Sequence, residues 1–187
     1  MSAKDFDPRR LDVAAFAKAA GELAGRWPLV ELDRLTDMTV AETASDAERR
    51  VTWEARGEAR AMRAGAAQVW LHASAETRVR LQCQRCLQPF EVPLAVQRSF
   101  MFVHGEDAAA QLDADSEDDV LALTRALDLR ELIEDELLLA LPIVPRHDVC
   151  PQPLQLPVDI LEDAAEEPHP FAGLAQLKGT KPPGPLN

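Results

Sequence analysis

The chain has 187 residues, of which 47% are hydrophobic but only 5% aromatic, with no Tyr; this suits one domain with an aliphatic core, and a large multi-domain enzyme is not expected. The net charge of −12 is unevenly spread: Met1 to Val103 holds 15 basic and 14 acidic residues, His104 to Glu167 holds 3 and 18, and the last stretch adds Lys178 and Lys181, so the acidic sum does not exclude a local basic patch. No run of about 18 uncharged apolar residues occurs and the start is charged, so neither a membrane span nor a signal peptide is expected, the chain reads as cytoplasmic, and its three Cys point to reduced thiols or a metal rather than a disulfide framework.

Asp7-Pro8 is a helix-start signal, followed by Leu11, Ala14, Ala15, Lys18, Ala19 and Glu22 at helical spacing, which predicts an N-terminal helix over about 8–24 ended by Gly25. Its large groups are only Leu11, Phe16 and Leu23, so a peripheral, weakly packed element is expected. Arg26 to Leu35 reads as a docking segment or a short strand and turn.

From about Met38 to Val103 the period changes to that of strands. Val69 and Leu71 alternate with Gln68, Trp70 and His72, and Val79, Leu81 and Cys83 alternate with Arg78, Arg80 and Gln82. Gly57, Gly65 and Ala73-Ser74-Ala75 supply break points for an antiparallel meander, and Phe90, Val92, Leu94 and Val96 extend it. Pro93 pushes that last strand toward an edge or a bulge, because proline cannot donate to a ladder. His104 to Val120 is acidic and short of large apolar residues, which predicts a solvated loop over 104–120. It lacks the ligand alternation and central glycine of a calcium loop.

Asp128 caps the strongest predicted helix, about 129–141, in which Leu129, Leu132, Ile133, Leu137, Ala140 and Leu141 form one stripe opposite Arg130, Glu131, Glu134 and Asp135. The carboxylates are read as a solvated face, since no His or nucleophile has helical spacing to them. Pro142 stops the helix. Beyond Cys150 the chain turns Pro-rich and acidic, so 151–187 is expected to be a flexible tail. Within 170–177 of that tail, Phe171, Leu174 and Leu177 form a short apolar motif, a possible docking element for a partner or a frayed end.

Cys83-Gln84-Arg85-Cys86 ends a predicted strand, a spacing that lets two thiolates reach one tetrahedral ion from a tight turn. His147 and Cys150 add an H-x-x-C beyond the strong helix, so Cys83, Cys86, His147 and Cys150 make a candidate Cys₃His set for structural zinc. Free thiols and a redox pair stay open beside it, although a thioredoxin-like site is disfavoured because its C-x-x-C opens a helix. Arg78, Arg80, Arg85 and Arg98 surround the Cys pair as candidate RNA contacts; Arg78 and Arg80, on alternating strand positions, share one face, either as a guanidinium row suited to phosphate contacts or as an ordinary solvated strand face. Trp70 and His72 could add base stacking or be packed beneath the N-terminal helix. No phosphate-cradling glycine loop, nucleophile elbow or H-E-x-x-H is present, so no enzyme is expected.

Taken together, the stretch Val79 to Phe90 with its C-Q-R-C, the Ile133-Glu134-Asp135-Glu136-Leu137-Leu138-Leu139-Ala140-Leu141-Pro142 block, Pro145-Arg146-His147 with Cys150, Pro170-Phe171-Ala172-Gly173-Leu174 and the Phe6-Asp7-Pro8 start resemble the YceD family. This bacterial family, also found in plastids, is associated with accumulation of the large-subunit ribosomal RNA. The resemblance leaves the stretch around His104 to Val120 uncovered. It implies a non-enzymatic cytoplasmic factor in synthesis, processing or stability of 23S ribosomal RNA, with that RNA or its precursor as partner. Two routes remain: direct RNA contact through the arginines, or an acidic escort that binds a basic ribosomal protein or assembly factor through the acidic region and the Phe171 motif. The expected fold is a single α+β domain over 1–150: an antiparallel bent sheet or partly open β-barrel over about 38–103, one long amphipathic helix packed on it, a peripheral N-terminal helix and a flexible C-terminal tail.

Overall fold

In the computed structural model, which describes residues 6–40, 49–63 and 65–151, the alternating segments pair into a five-stranded sheet flanked by short helices. The chain order is α1 (Val13–Lys18), β1 (Glu22–Pro28), a 3-10 turn (Leu29–Glu31), α2 (Asp33–Asp37), β2 (Arg50–Arg60), β3 (Gln68–Gln82), β4 (Pro89–Val103), α3 (Glu106–Asp115), β5 (Asp119–Ala122) and α4 (Leu129–Leu139). The strands lie in the order β1-β2-β3-β4-β5, so the sheet is open and β1 and β5 are its edges. The α+β class stands. The first four strands pair antiparallel, whereas β5 pairs with β4 in parallel after the α3 crossover.

Period-two alternation explains the two faces of the sheet. Val51, Trp53, Leu71, Val79, Leu81, Leu94, Phe100 and Phe102 point to one face, where Leu11, Phe16, Leu35, Leu129, Ile133 and Leu137 close the main core. The fully buried Leu129 and Leu137 and nearly buried Ile133 of α4 contribute about 2–3 kcal/mol each by leaving water. On the opposite, outer face, α3 covers only one end, forming a small second core of Trp70, Met101, Ala109 and Val120. Pro93 sits opposite Arg78 where β4 has no second neighbour among the described residues, because β5 pairs only with Phe100 to Val103.

Several expectations change: Gly57 and Ala73-Ser74-Ala75, expected as breaks, lie inside β2 and β3, because their neighbours keep the ladder paired through them. The N-terminal helix over about 8–24 is instead six residues long; Asp7 caps only a turn, Leu11 pairs as an isolated bridge with Leu127, and Asp12 is the cap, accepting from the Ala15 N–H at 3.0 Å. Glu22 onward then joins the sheet as β1. Nor is α1 peripheral: Val13 and Phe16 are fully buried, and the helix backbone lies directly on Gly57 of β2. The predicted loop 104–120 holds α3 and the start of β5. The long helix is eleven residues, shorter than the fifteen-residue β3 and β4.

Gly57 is dictated by that helix-on-strand contact. A Cβ there would lie 2.8 Å from the backbone N and Cα of Ala17 and from the carbonyl carbon of Phe16, and backbone cannot yield as a side-chain tip can. Gly57→Ala is expected to cost about 2 kcal/mol, read as a lower urea midpoint with an unchanged slope.

Candidate metal centre

The β3–β4 hairpin carries the site on its turn. Its register runs to Gln82 opposite Pro89, so residues 83–88 must reverse the chain in six positions. The Cys83 N–H donates to the Gln88 carbonyl at 3.0 Å and the Leu87 N–H to the Cys83 carbonyl at 2.8 Å, curling the backbone around the Cys83 sulfur. This tight curl needs Leu87 at φ +60°, a region costly for a side chain bearing a Cβ. Leu87→Gly is expected to be neutral or stabilising by up to about 1 kcal/mol, and Leu87→Val, with its branched Cβ, destabilising by about 1–2 kcal/mol, in paired thermal melts.

The second arm arrives from α4. The helix ends with Ala140 as cap, the chain bends on through residues 141–144, and the Gln84 N–H donates to the Pro145 carbonyl at 2.9 Å. Arg85 clamps the arm from inside the turn. Its Nε donates to Cys150 Sγ at 3.0 Å, and its Nη2 donates to the carbonyls of His147 at 3.0 Å and Asp148 at 3.4 Å. The His147 ring packs on Phe90, centroids 4.6 Å apart.

These contacts converge four ligand atoms. Cys83 Sγ lies 3.8 Å from Cys150 Sγ, Cys86 Sγ lies 3.4 Å from His147 Nδ1, and all four atoms fall within 4.8 Å of one another. Metal–sulfur bonds of about 2.3 Å and metal–nitrogen bonds of about 2.0–2.1 Å in a tetrahedron require edges of about 3.8 Å between sulfurs and about 3.5 Å between sulfur and nitrogen. The residues therefore fit one tetrahedral ion and could hold it. It is the one such Cys/His/Asp/Glu group among the described residues. Cys83 and Cys86 are buried, and His147 and Cys150 half-buried.

The thiols are pushed in opposite directions. Burial raises Cys83, but backbone hydrogen bonds from His147, Cys86 and Arg85, with the His147 side chain, outweigh it and bring the thiol down to about 5. Burial raises Cys86, and the Cys150 and Cys83 sulfurs add to that against the opposing Gln88 backbone. Of these two sulfurs Cys83 ionises more readily, and a cation shared between them would favour the ionised form of both.

The four arginines expected as RNA contacts are divided by the fold, although Arg78 and Arg80 share one strand face as their spacing predicts. Arg78 and Arg80 lie on the outer face of β3, with the Arg78 side chain 70% exposed and 3.9 Å from Glu91. Arg85 is turned into the Cys loop. Arg98 is on the opposite face, where its Nε donates to Glu136 of α4 at 2.9 Å; its parity with Leu94, Val96 and Phe100 marks it as inward. Sequence reasoning missed Arg49 and Arg50, which flank a shallow depression of about 540 Å³ with Thr52, Glu76, Arg78 and Pro93. Arg49 donates to Glu91 at 2.8 Å and to the Arg78 carbonyl at 3.3 Å. Nothing local shows that β2 begins beside Arg78.

The stacking expectation for Trp70 and His72 is corrected. Trp70 is 4% exposed, buried beside α3 rather than the N-terminal helix, with the Arg60 guanidinium 4.1 Å above its ring. His72 spends both ring nitrogens at 2.8 Å, Nδ1 on Ser99 Oγ and Nε2 on Glu58. Neither ring is a free platform for a base. The Arg60 guanidinium and His72 hold the Glu58 carboxyl down to about 2. Phe171, Leu174 and Leu177 lie outside the described residues, and no helix among those described is long and apolar enough to cross a membrane.

The family model described as large ribosomal RNA subunit accumulation protein YceD matches residues 71–178, spanning the Cys turn, α4 and the second arm. A relative described as large ribosomal RNA subunit accumulation protein YceD, from Haemophilus influenzae, is 30% identical over 175 residues, covering 91% of this chain and 95% of its own length. No solved structure matches.

Proposed function

Because this chain belongs to the YceD family, we propose that it promotes accumulation of large-subunit ribosomal RNA as a non-enzymatic cytoplasmic factor that contacts 23S RNA or its precursor directly. In this reading Cys83, Cys86, His147 and Cys150 hold a structural zinc ion, whose role when bound is to lock the β3–β4 turn to the arm behind α4. Soft thiolates with one imidazole in a tetrahedral set suit zinc. The convergence of all three cysteines of the chain on one histidine carries the proposal. Unrelated buried thiols have no reason to meet in that arrangement.

The locked turn supports the end of the sheet where Arg78 lies beside Arg49 and Arg50, with Arg80 two residues along the same strand face. Guanidinium groups there suit phosphate oxygens, exchanging carboxylate partners such as Glu91 for RNA. Arg85 and Arg98 serve the protein's own structure. The joint change Arg78→Glu and Arg80→Glu is expected to weaken binding to precursor RNA by at least about tenfold at moderate salt and to flatten the salt slope by about 0.7–0.9 per lost phosphate contact. Arg98→Glu is expected to leave that slope unchanged, which separates contact from general charge.

The acidic-escort reading draws on α3 and its flank, where Glu106, Asp107, Asp113, Asp115, Glu117, Asp118 and Asp119 occur without a basic partner in sequence. Crosslinking in living cells, with RNA sequencing and mass spectrometry of a nuclease-treated sample, separates the two. Crosslinks on large-subunit precursor RNA that vanish with the Arg78 and Arg80 changes support direct contact. Retention of a basic ribosomal protein after nuclease, with no RNA crosslink, overturns it in favour of the escort.

A further inference from the structure

The three cysteines are not equivalent toward an oxidant. Cys83 is fully buried and Cys86 nearly so, whereas Cys150 is half-exposed at the end of the arm. Arg85 Nε donates to the Cys150 sulfur at 3.0 Å, which holds that sulfur in place beside the turn. The Cys83 sulfur stands 3.8 Å behind it, and the Cys86 sulfur is engaged with His147 Nδ1. A half-exposed sulfur beside a guanidinium, with a second thiol within reach, has the arrangement of an attacking and a resolving cysteine.

We propose that Cys150 is an oxidation site for hydroperoxides and that Cys83 resolves it, so that a Cys83–Cys150 disulfide forms and dismantles the four-ligand set. The Cys150 sulfur attacks the terminal peroxide oxygen; an S–O bond forms, the O–O bond breaks, and the departing oxygen takes a proton and leaves as water, or as an alcohol from an organic peroxide. The Cys83 sulfur then attacks the Cys150 sulfenic acid. The S–S bond forms, the S–O bond breaks, and hydroxide leaves as water after taking a proton from solvent. Two thiols are oxidised to one disulfide while one peroxide is reduced. Cys86 and His147 alone remain as ligands, too few to retain an ion. That last consequence rests on the zinc reading; formation of the disulfide does not.

The test treats the purified full-length, zinc-loaded chain with hydrogen peroxide, follows released zinc with a colorimetric chelator, and maps disulfides by peptide mass spectrometry without reduction. The expected result is a Cys83–Cys150 linked peptide appearing together with zinc release, both reversed by a dithiol reductant and added zinc. Cys150→Ser should lose the linked peptide, Cys86→Ser should keep it, and Arg85→Met should slow its formation. A Cys83–Cys86 bridge formed first, or Cys150 passing to sulfinic acid without bridging, overturns the proposal. Zinc retained unchanged under peroxide overturns it too and leaves the zinc reading intact. A chain that purifies without zinc yet forms the Cys83–Cys150 bridge supports the proposal and overturns the zinc reading.

Discussion

Cys83→Ser is expected to abolish stoichiometric metal binding and to remove the stability linked to it, about 4 kcal/mol when free metal exceeds the dissociation constant a thousandfold. Cys83 is the deepest ligand, fully buried and hydrogen-bonded from the backbone around it, so a harder hydroxyl in its place leaves three ligands and no thiolate at the centre of the turn. Thermal melts with and without a chelator check this. The wild-type midpoint should fall on chelation, whereas the variant should begin at the lower value and not respond. Far-ultraviolet circular dichroism should change little, because the core of Val51, Leu71, Phe100 and Ile133 lies away from the turn. Acidification should mimic the chelator, since protons compete for the thiolates and imidazole. Equal melting of the chelated and untreated wild type would sink the structural-zinc reading.

The second large effect lies in α4. Glu134 is 6% exposed; its Oε1 accepts the buried Leu35 N–H at 3.0 Å, and its Oε2 accepts from Arg34 Nη2 at 3.2 Å. The carboxylate thus supplies the start of α2 with a partner that α2 lacks, because Leu32 at its cap position has no side-chain acceptor. Glu134→Ala strips the buried N–H of its acceptor and is expected to cost about 3 kcal/mol. Glu134→Gln keeps a carbonyl oxygen for Leu35 and should cost about 1 kcal/mol. Asp135→Ala next to it removes an ion pair in which both side chains are half-exposed and should cost less than about 0.5 kcal/mol. Urea unfolding of the three variants in parallel reads the order, and equal losses at Glu134 and Asp135 would contradict the buried bond.

Much of the fold was legible where a local signal stood alone. The Asp128 cap accepts from the Arg130 and Glu131 N–H groups, and the stripe behind it buries Leu129, Ile133 and Leu137 as its spacing predicts. The alternation of β3 and the free side of β4 at Pro93 follow from side-chain parity and the missing proline donor. Parity would also have placed Arg98 inward. Other elements had misleading local signals. Glu22 to Pro28 extends an Ala-rich helical pattern and becomes a strand because β2 offers a paired edge, and Glu106 to Asp115 is acidic yet forms a helix because Ala109 docks on Trp70 and Met101. Tertiary pairing outweighs propensities of a few tenths of a kcal/mol, about the range among ordinary residues.

The sequence by itself determined which residues could serve as metal ligands, the turn that carries two of them and the helix that precedes the others, since these depend on residue type and short spacing. Only the tertiary structure decided that His147 and Cys150 meet Cys83 and Cys86 across more than sixty residues, that Arg85 holds that meeting together, that Glu134 is buried, and that Arg49 rather than Arg98 stands beside Arg78. Those outcomes depend on strand register and on where the chain returns after α4. Register and return are set by packing the whole core at once, so no window of neighbouring residues contains them.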